Sequence, residues 1–340
     1  MNSAAAIKWE TFEIRLKGRN VQAPSAVMNG ARLIVTGKWL KVAYVHEEDW
    51  LEGQVVSDPH SVISRLRQSR GGPDLFTFTQ KLPETQPKYE FPFEWDNVAA
   101  IPLKSYKDWW ENRLPQVTRK NVRRSAKRGV VVRSVPLDDT FIRGVMAIYN
   151  ETPIRQGKPF THYGKDFDTI KREISTMAGR YEFFGAYCGD ELVGFIKLVY
   201  LGPLAGILHI VSLNSQYDKR PSNALIARMV ETCAAKGITH ILYGKYTYGS
   251  QSATPLAEFK HRNGFEQINV PRYYVPLDFK GAIAFRLGLH HGVKGMIPAP
   301  VLGLLSRVRA RLAQRNHGES GGEKPDGAEN AAGEKAAAEG

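Results

Sequence analysis

The stretch PLAEFKHRNGF, residues 255–265, starts on a proline and closes on Gly264-Phe265. A proline loses nothing in a first helical turn, where its N–H would lack a partner, and glycine supplies the backbone freedom needed to leave a helix. We read a short helix with Phe259 packed inward and Gly264 turning the chain into a last strand, NVPRYYVPL (269–277). Before it come a strand, ITHILYGKY (238–246), and a long helix from Ser222 to Lys236 stopped at Gly237. Further back lie three strands: FFGAYC (183–188) and ELVGFIKLVYL (191–201), joined at Gly189-Asp190, then GILHIVSL (206–213). Their apolar, β-branched runs bounded by turn residues carry the assignment. Two helices, over 138–150 and 165–178, precede them.

Upstream of those helices stands RKNVRRSAKRGVVVR (119–133), with seven basic side chains in fifteen residues. Ser105 can cap a helix whose apolar stripe is Trp109, Trp110, Leu114, Val117 and Ala126, interrupted at Asn121 and kinked at Pro115. Lys120, Arg123, Arg124 and Lys127 fall at i, i+3, i+4 and i+7, so they share one cationic face, and Gly129 ends the helix before the strand VVVRSV.

The first hundred residues read as strands with at least one helix. FEIRL (12–16) and RLIVTGKWLKVAYV (32–45) alternate, the latter turning at Thr36-Gly37. Asp58-Pro59 opens a helix with Val62, Ile63 and Leu66 at helical spacing, and LFTFTQ (75–80) follows the Gly71-Gly72-Pro73 break. At the other end, 281–315 reads as basic, apolar, proline-broken helices. Residues 316–340, almost wholly Gly, Ala and acid, lack the apolar surface to offset the entropy of ordering and read as a disordered tail. The boundaries expected are therefore 1–102, 103–278, 279–315 and 316–340.

Composition narrows the function. Lys and Arg total 47 against 34 Asp and Glu, a balance that attracts anions in general. Only Cys188 and Cys233 occur, neither in a CxxC pair nor with histidines at ligand spacing, so no disulfide framework or metal site is expected. No secretory leader and no uninterrupted apolar run of spanning length is present, which predicts a cytoplasmic protein. No phosphate-loop, HExxH, GxSxG or GxGxxG motif stands in a supporting context.

The order two helices, three strands, long helix, strand, short helix, strand resembles the GNAT acyltransferases, and FKHRNGF (259–265) is similar to their closing F-Y-x-x-x-G-F motif. Two departures stand out. Lys219-Arg220-Pro221-Ser222-Asn223-Ala224 lies where the family has R-x-x-G-x-G/A, with Ser222 in place of a glycine, and Lys260 stands at the usual tyrosine position. Both are similar to the FemABX-like branch, as is the basic helix RKNVRRSAKRGV. The resemblance spans about 105–277. It implies a mixed α/β (α+β) fold with a GNAT-like central sheet flanked by helices, in a twin-GNAT arrangement whose N-terminal half is reduced.

What it implies for chemistry is acyl transfer between the splayed strands GILHIVSL and ITHILYGKY. Backbone at Ile210, Val211 and Ser212 would hold the acyl carbonyl. The helix start at Ser222, Asn223 and Ala224, with Lys219 and Arg220, would take a phosphate of acetyl-CoA or another acyl-CoA. Lys260 is the first candidate for a catalytic or charge-stabilising group. His209 is a candidate proton acceptor, against the commoner reading of a core histidine, and Tyr248 a candidate acid or acceptor-binding group at the site mouth, against the commoner reading of aromatic packing. Arg123, Arg124 and Lys127 are candidates for binding an anionic substrate.

The expected acceptor is an amine or hydroxyl on a small molecule or cell-envelope precursor. An aminoacyl-tRNA donor is the rival within the same chemistry; the lack of a charged coiled-coil insertion between 178 and 277 favours coenzyme A. Two other classes remain. One is a nucleic-acid binder using 119–133, with no recognised DNA or RNA motif beside the charge. The other is a non-catalytic scaffold on the inner face of the membrane, anchored through FRLGLHHGVKGMIPAPVLGLLSRVRARL (285–312).

Overall fold

The computed structural model describes residues 7–16, 19–48, 55–155, 157–248 and 254–291. Most of the 281–315 segment and the whole 316–340 tail lie outside the described residues. The N-terminal part contributes β1 (Glu10–Leu16), β2 (Arg19–Met28), β3 (Ala31–Thr36), β4 (Val42–Val45), α1 (Pro59–Gln68), β5 (Leu75–Thr79) and β6 (Phe93–Pro102). Asp58 caps α1 by accepting from the Ser61 amide at 3.0 Å, with Pro59 in the first turn, so this helix starts where the Asp-Pro pair predicts. α1 buries Val62, Ile63 and Leu66 and crosses between β4 and β5, which pair in parallel.

The next segment departs from the single helix expected. Ser105 caps α2 (Tyr106–Asp108), but a π-turn over Trp109–Arg113 follows, Leu114 and Pro115 are extended, and α3 (Gln116–Lys127) starts afresh. Proline removes a donor and clashes with the preceding turn, which converts a kink into a break. The restart rotates the helix about its axis: Thr118 and Ser125 are buried, while Val117 is 65% exposed and Ala126 is exposed. The apolar stripe therefore ends at Leu114. The cationic face is as expected, with Lys120, Arg123, Arg124 and Lys127 all in solvent.

The remainder comprises β7 (Val130–Val135), α4 (Asp139–Tyr149), β8 (Ile154–Arg155), β9 (Lys158–Pro159), α5 (Phe167–Ile174), β10 (Tyr181–Cys188), β11 (Glu191–Leu201), β12 (Leu204–Ser212), α6 (Pro221–Ala235), β13 (His240–Leu242), α7 (Pro255–Arg262), β14 (Glu266–Pro276) and α8 (Phe279–Arg286). α5 is shorter than the 165–178 expected, and β13 is far shorter than 238–246. Twelve strands form one mostly antiparallel sheet in the order β1-β2-β3-β4-β5-β14-β6-β13-β12-β11-β10-β7, so the fold is mixed α/β. β6, from the N-terminal part, lies between β13 and β14, and β14 also pairs with β5.

Side chains alternate across the sheet and fill two different layers. Ile196, Leu198, Ile207 and Ile210 pack with α6 and α7, whereas Phe183, Phe195 and Val211 pack with α4 and α5 on the opposite face. α3 lies along α6. Among the described residues no helix is long and apolar enough to cross a membrane.

Candidate active site

β12 and β13 run parallel, pairing only at Leu204–His240, Ala205–Ile241 and Gly206–Leu242. β12 continues to Ser212, so its edge away from β11 has no strand beside it past Gly206 among the described residues. A bulge accompanies the separation: Lys197 faces His209 and Leu198 faces Ile207, leaving Leu208 without a partner on β11. Bulges bend a strand and strengthen its twist. The consequence is a gap edged by the main chain of Ile210, Val211 and Ser212, where backbone N–H groups can meet a carbonyl oxygen as charge develops on it.

The mouth of this gap is tied to the start of α6. Ser212 Oγ and Ser222 Oγ are 2.9 Å apart. Between them a 3₁₀ turn (Asn214–Lys219) leads to Arg220, which adopts a left-handed conformation (φ 57°) and lays its guanidinium over the Tyr217 ring at 4.4 Å. A non-glycine residue seldom adopts that backbone, and such departures gather at ligand sites. Lys219 and Arg220 are half-buried beside the N-terminal end of α6, a helix start of positive potential. The Asn223 side chain is already engaged: it donates to Asn263 Oδ1 at 3.1 Å, and Asn263 donates to the Phe259 carbonyl at 2.8 Å. Asn223 is thus a strut between α6 and α7, and only its backbone faces the helix end. Ala224 is buried.

Residues missed from sequence hold the strand end. Arg155 is buried and donates to the carbonyls of Ser212 and Ile148, each at 2.9 Å, and to Glu151. Glu151 also accepts from the amides of Asn214 and Ser215, both at 2.8 Å. Burial pushes the Glu151 carboxyl up, but these amides and Arg155 outweigh it and hold the group below its ordinary value. Nothing in their spacing marks Glu151 and Arg155 as more than an i, i+4 ion pair.

Lys260 is fully buried on α7. Its ammonium donates to the Lys245 carbonyl at 2.6 Å and lies 4.8 Å and 5.3 Å from the ring centroids of Tyr243 and Tyr248. The structure therefore brings Lys260 and Tyr248 together, beside the segment that leaves β13. Burial draws the Lys260 pKa down to about 7. Lys245 in turn extends its own side chain to Asp96 (3.1 Å), which also accepts from Arg272 (2.9 Å), and Arg272 reaches Glu48. Glu48, Asp96 and Lys245, with Leu242, Gly244 and Val270, line a small cleft beside β6.

His209 is separated from Lys260. It faces the α4–α5 side, with its ring 5.8 Å from that of His162, which stacks on the buried Tyr149. Burial, then the nearby His162, Lys197 and Lys165, pull its pKa down to about 3. Its imidazole is neutral at pH 7 and a weak proton acceptor, which counts against the base role considered from sequence. The three catalytic candidates consequently divide between the two faces of the sheet. Arg123, Arg124 and Lys127 are exposed, and the helix bearing them docks on the α6 approach through Arg128, which bonds the Asp218 carbonyl at 2.8 Å and its carboxylate.

Residues 113–260 match a family model described as an acetyltransferase (GNAT) domain. No curated protein matches the chain. Solved structures similar to it include FemX, at 13% identity and a TM-score of 0.49 over 82% of this chain and 90% of that one. Another is the L-PGS of Bacillus licheniformis, at 14% identity and a TM-score of 0.49 over 76% and 85%. A tandem GNAT protein from the clavulanic acid pathway follows at 12% identity and a TM-score of 0.39 over 81% and 84%.

Proposed function

We propose, from the match of residues 113–260 to a GNAT acetyltransferase family model, that the chain transfers an acyl group from acyl-CoA to an amine or hydroxyl in a ternary complex. The observation that carries this reading is the parting of β12 from β13 after three paired residues, directly before the helix start of α6. A thioester lying in that gap has its carbonyl oxygen toward the Ile210–Ser212 backbone and its phosphates toward Lys219, Arg220 and the first turn of α6. The acceptor attacks the carbonyl carbon, the tetrahedral oxyanion is held by backbone N–H groups, and the C–S bond breaks as the oxyanion collapses; the proton lost by the amine or hydroxyl passes, directly or through solvent, to the departing CoA thiolate. Lys260, poised near neutrality, supplies positive charge or a proton on the α7 side, with Tyr248 beside it.

Lys260 in place of the family's usual tyrosine, the Ser222-Asn223 helix start and the basic helix α3 together support placement near the FemABX-like members. On this reading residues 1–102 are a reduced first half of a twin arrangement and 103–278 the transferase half. Glu48 and Asp96 from the first half meet Lys245 and Arg272 from the second in a network of ion pairs that joins the two halves beside β6; the acceptor on this reading is a small molecule or a cell-envelope precursor.

One observation favours an aminoacyl-tRNA donor as a second reading: the solvent-facing Lys120, Arg123, Arg124 and Lys127 adjoin the donor loop through the Arg128–Asp218 contact. A polyanion larger than coenzyme A would use that face. Thermal unfolding of the purified chain with a series of acyl-CoAs distinguishes the two, since a ligand that binds the native state raises Tm by mass action. A rise with acetyl-CoA or another acyl-CoA, competed by free CoA, is expected. No rise with any of them, together with label transfer from charged tRNA, would establish the second reading instead.

A further inference from the structure

The chain leaves α8 through Gly288 and enters a short 3₁₀ turn, Leu289–His291, that places two adjacent histidines over the sheet. Both imidazoles present Nε2 to the carboxylate of Glu94 on β6, each at 3.0 Å. One ligand atom from each of the three residues lies within 4.8 Å of the others. The His290 ring is set by packing: it lies 4.6 Å from Tyr274 and 5.0 Å from Phe285, centroid to centroid, and its side chain is 2% exposed.

We propose that Glu94, His290 and His291 form a binding site for a divalent transition-metal ion of the zinc class. Two imidazole nitrogens and one carboxylate suit zinc and its neighbours and do not suit calcium or magnesium, which prefer all-oxygen shells. Metal–ligand distances of about 2.0–2.2 Å place tetrahedral ligand atoms roughly 3.3–3.5 Å apart, which small rotations of these side chains reach from the observed arrangement. Glu94 and His291 remain 38% and 45% exposed, so the fourth position opens to solvent and takes water. The sequence hides the site because Glu94 lies 196 and 197 residues before the histidines. A bound ion would pin the α8 turn to β6, two residues from Asp96.

The test is isothermal titration of the chelator-treated, full-length protein with zinc chloride, alongside magnesium chloride. Zinc is expected to bind with one equivalent that the variants His291→Ala and Glu94→Gln weaken by at least about tenfold, and magnesium to give no heat. Both changes sit at partly exposed side chains, so metal-free Tm serves as the folding control and is expected to stay at the parent value. Zinc is further expected to raise the Tm of the parent and not of His291→Ala. The proposal is overturned if parent and both variants bind zinc alike, or if the folded parent binds none.

Discussion

Asn223 on α6 donates to Asn263 at the end of α7 across 3.1 Å, and both side chains are buried. Trp109 completes the junction, its indole N–H donating to the Asn263 carbonyl at 3.2 Å. One asparagine thus joins α6, the helix that carries Lys260, and the π-turn before α3. Asn263→Ala should cost about 1–3 kcal/mol in denaturant unfolding, because it leaves the Asn223 amide buried without that partner. Asn223→Ala with Asn263→Ala should cost clearly less than the two singles combined; simple additivity would show that the pair does not act as a unit.

Gly264 has φ +80°, and an added Cβ would stand 2.7 Å from the Trp109 indole nitrogen. Gly264→Ala should therefore destabilise by about 2 kcal/mol or more, combining the left-handed backbone cost with displacement of Trp109. Trp109→Phe should cost less, on the order of 1–2 kcal/mol, since it keeps most of the packing and loses the bond to Asn263. The reverse ranking in urea midpoints would refute this account of the turn.

Lys260→Met should lower turnover ten- to a thousandfold, about 1.4–4 kcal/mol in the barrier. Stability should move with a defined sign. The folded pKa near 7 lies below the ordinary value of 10.5, so between these two the unfolded chain holds the extra proton and the parent gains stability as pH rises. Below about 7 both states are protonated and the cost of the buried charge is fully present. The Tm of Lys260→Met minus that of the parent should accordingly be largest near pH 6 and fall steadily toward pH 10. A difference independent of pH would mean that the ammonium is not desolvated.

Replacing Arg123, Arg124 and Lys127 together by Ala should leave Tm nearly unchanged, as all three are exposed and only Arg123 has a ring contact, at 5.7 Å over Trp110. Affinity for an anionic donor should drop, and the slope of affinity against salt concentration should become shallower. An unaltered salt dependence would reduce this face to a solvated surface.

His209→Gln should leave the pH dependence of kcat/KM between pH 5 and 8 in place, because a group titrating near 3 has no transition there. Loss of a limb in that range would reinstate the imidazole as the proton acceptor.

Apart from the two-residue β8 and β9, which carry no pattern of their own, the strand and helix order from β7 to β14 was readable because each element has its own period and its own punctuation: Asp138 and Thr254 at helix starts, Gly129 and Gly237 at helix ends. β2 and β6 were not. β6, FEWDNVAAIP, alternates poorly because its first half carries Glu94, which meets His290 and His291, and Asp96, which meets Lys245 and Arg272, while its second half, Ala99 to Ile101, is buried. The division of His209 from Lys260 had a similar origin. An unbroken alternation would put Ile207 and Ile210 on opposite faces, but the bulge at Leu208 puts them on the same one and turns His209 toward α4 and α5. Asn263 and Arg155 act through partners distant in sequence, 40 and 57 residues away, which no local pattern encodes.

The lodging of β6 between β13 and β14 bears on how such a chain can be divided. A cut near residue 102 would strip β13 and β14 of the neighbour that satisfies their backbone along one side, and would deprive β5 of β14. Each fragment would present raw sheet edges, the usual template for self-association. The two parts are thus interleaved like the fingers of clasped hands, since strands of the first lie on both sides of β14 and one of them adjoins β13; neither is expected to stay soluble when expressed alone.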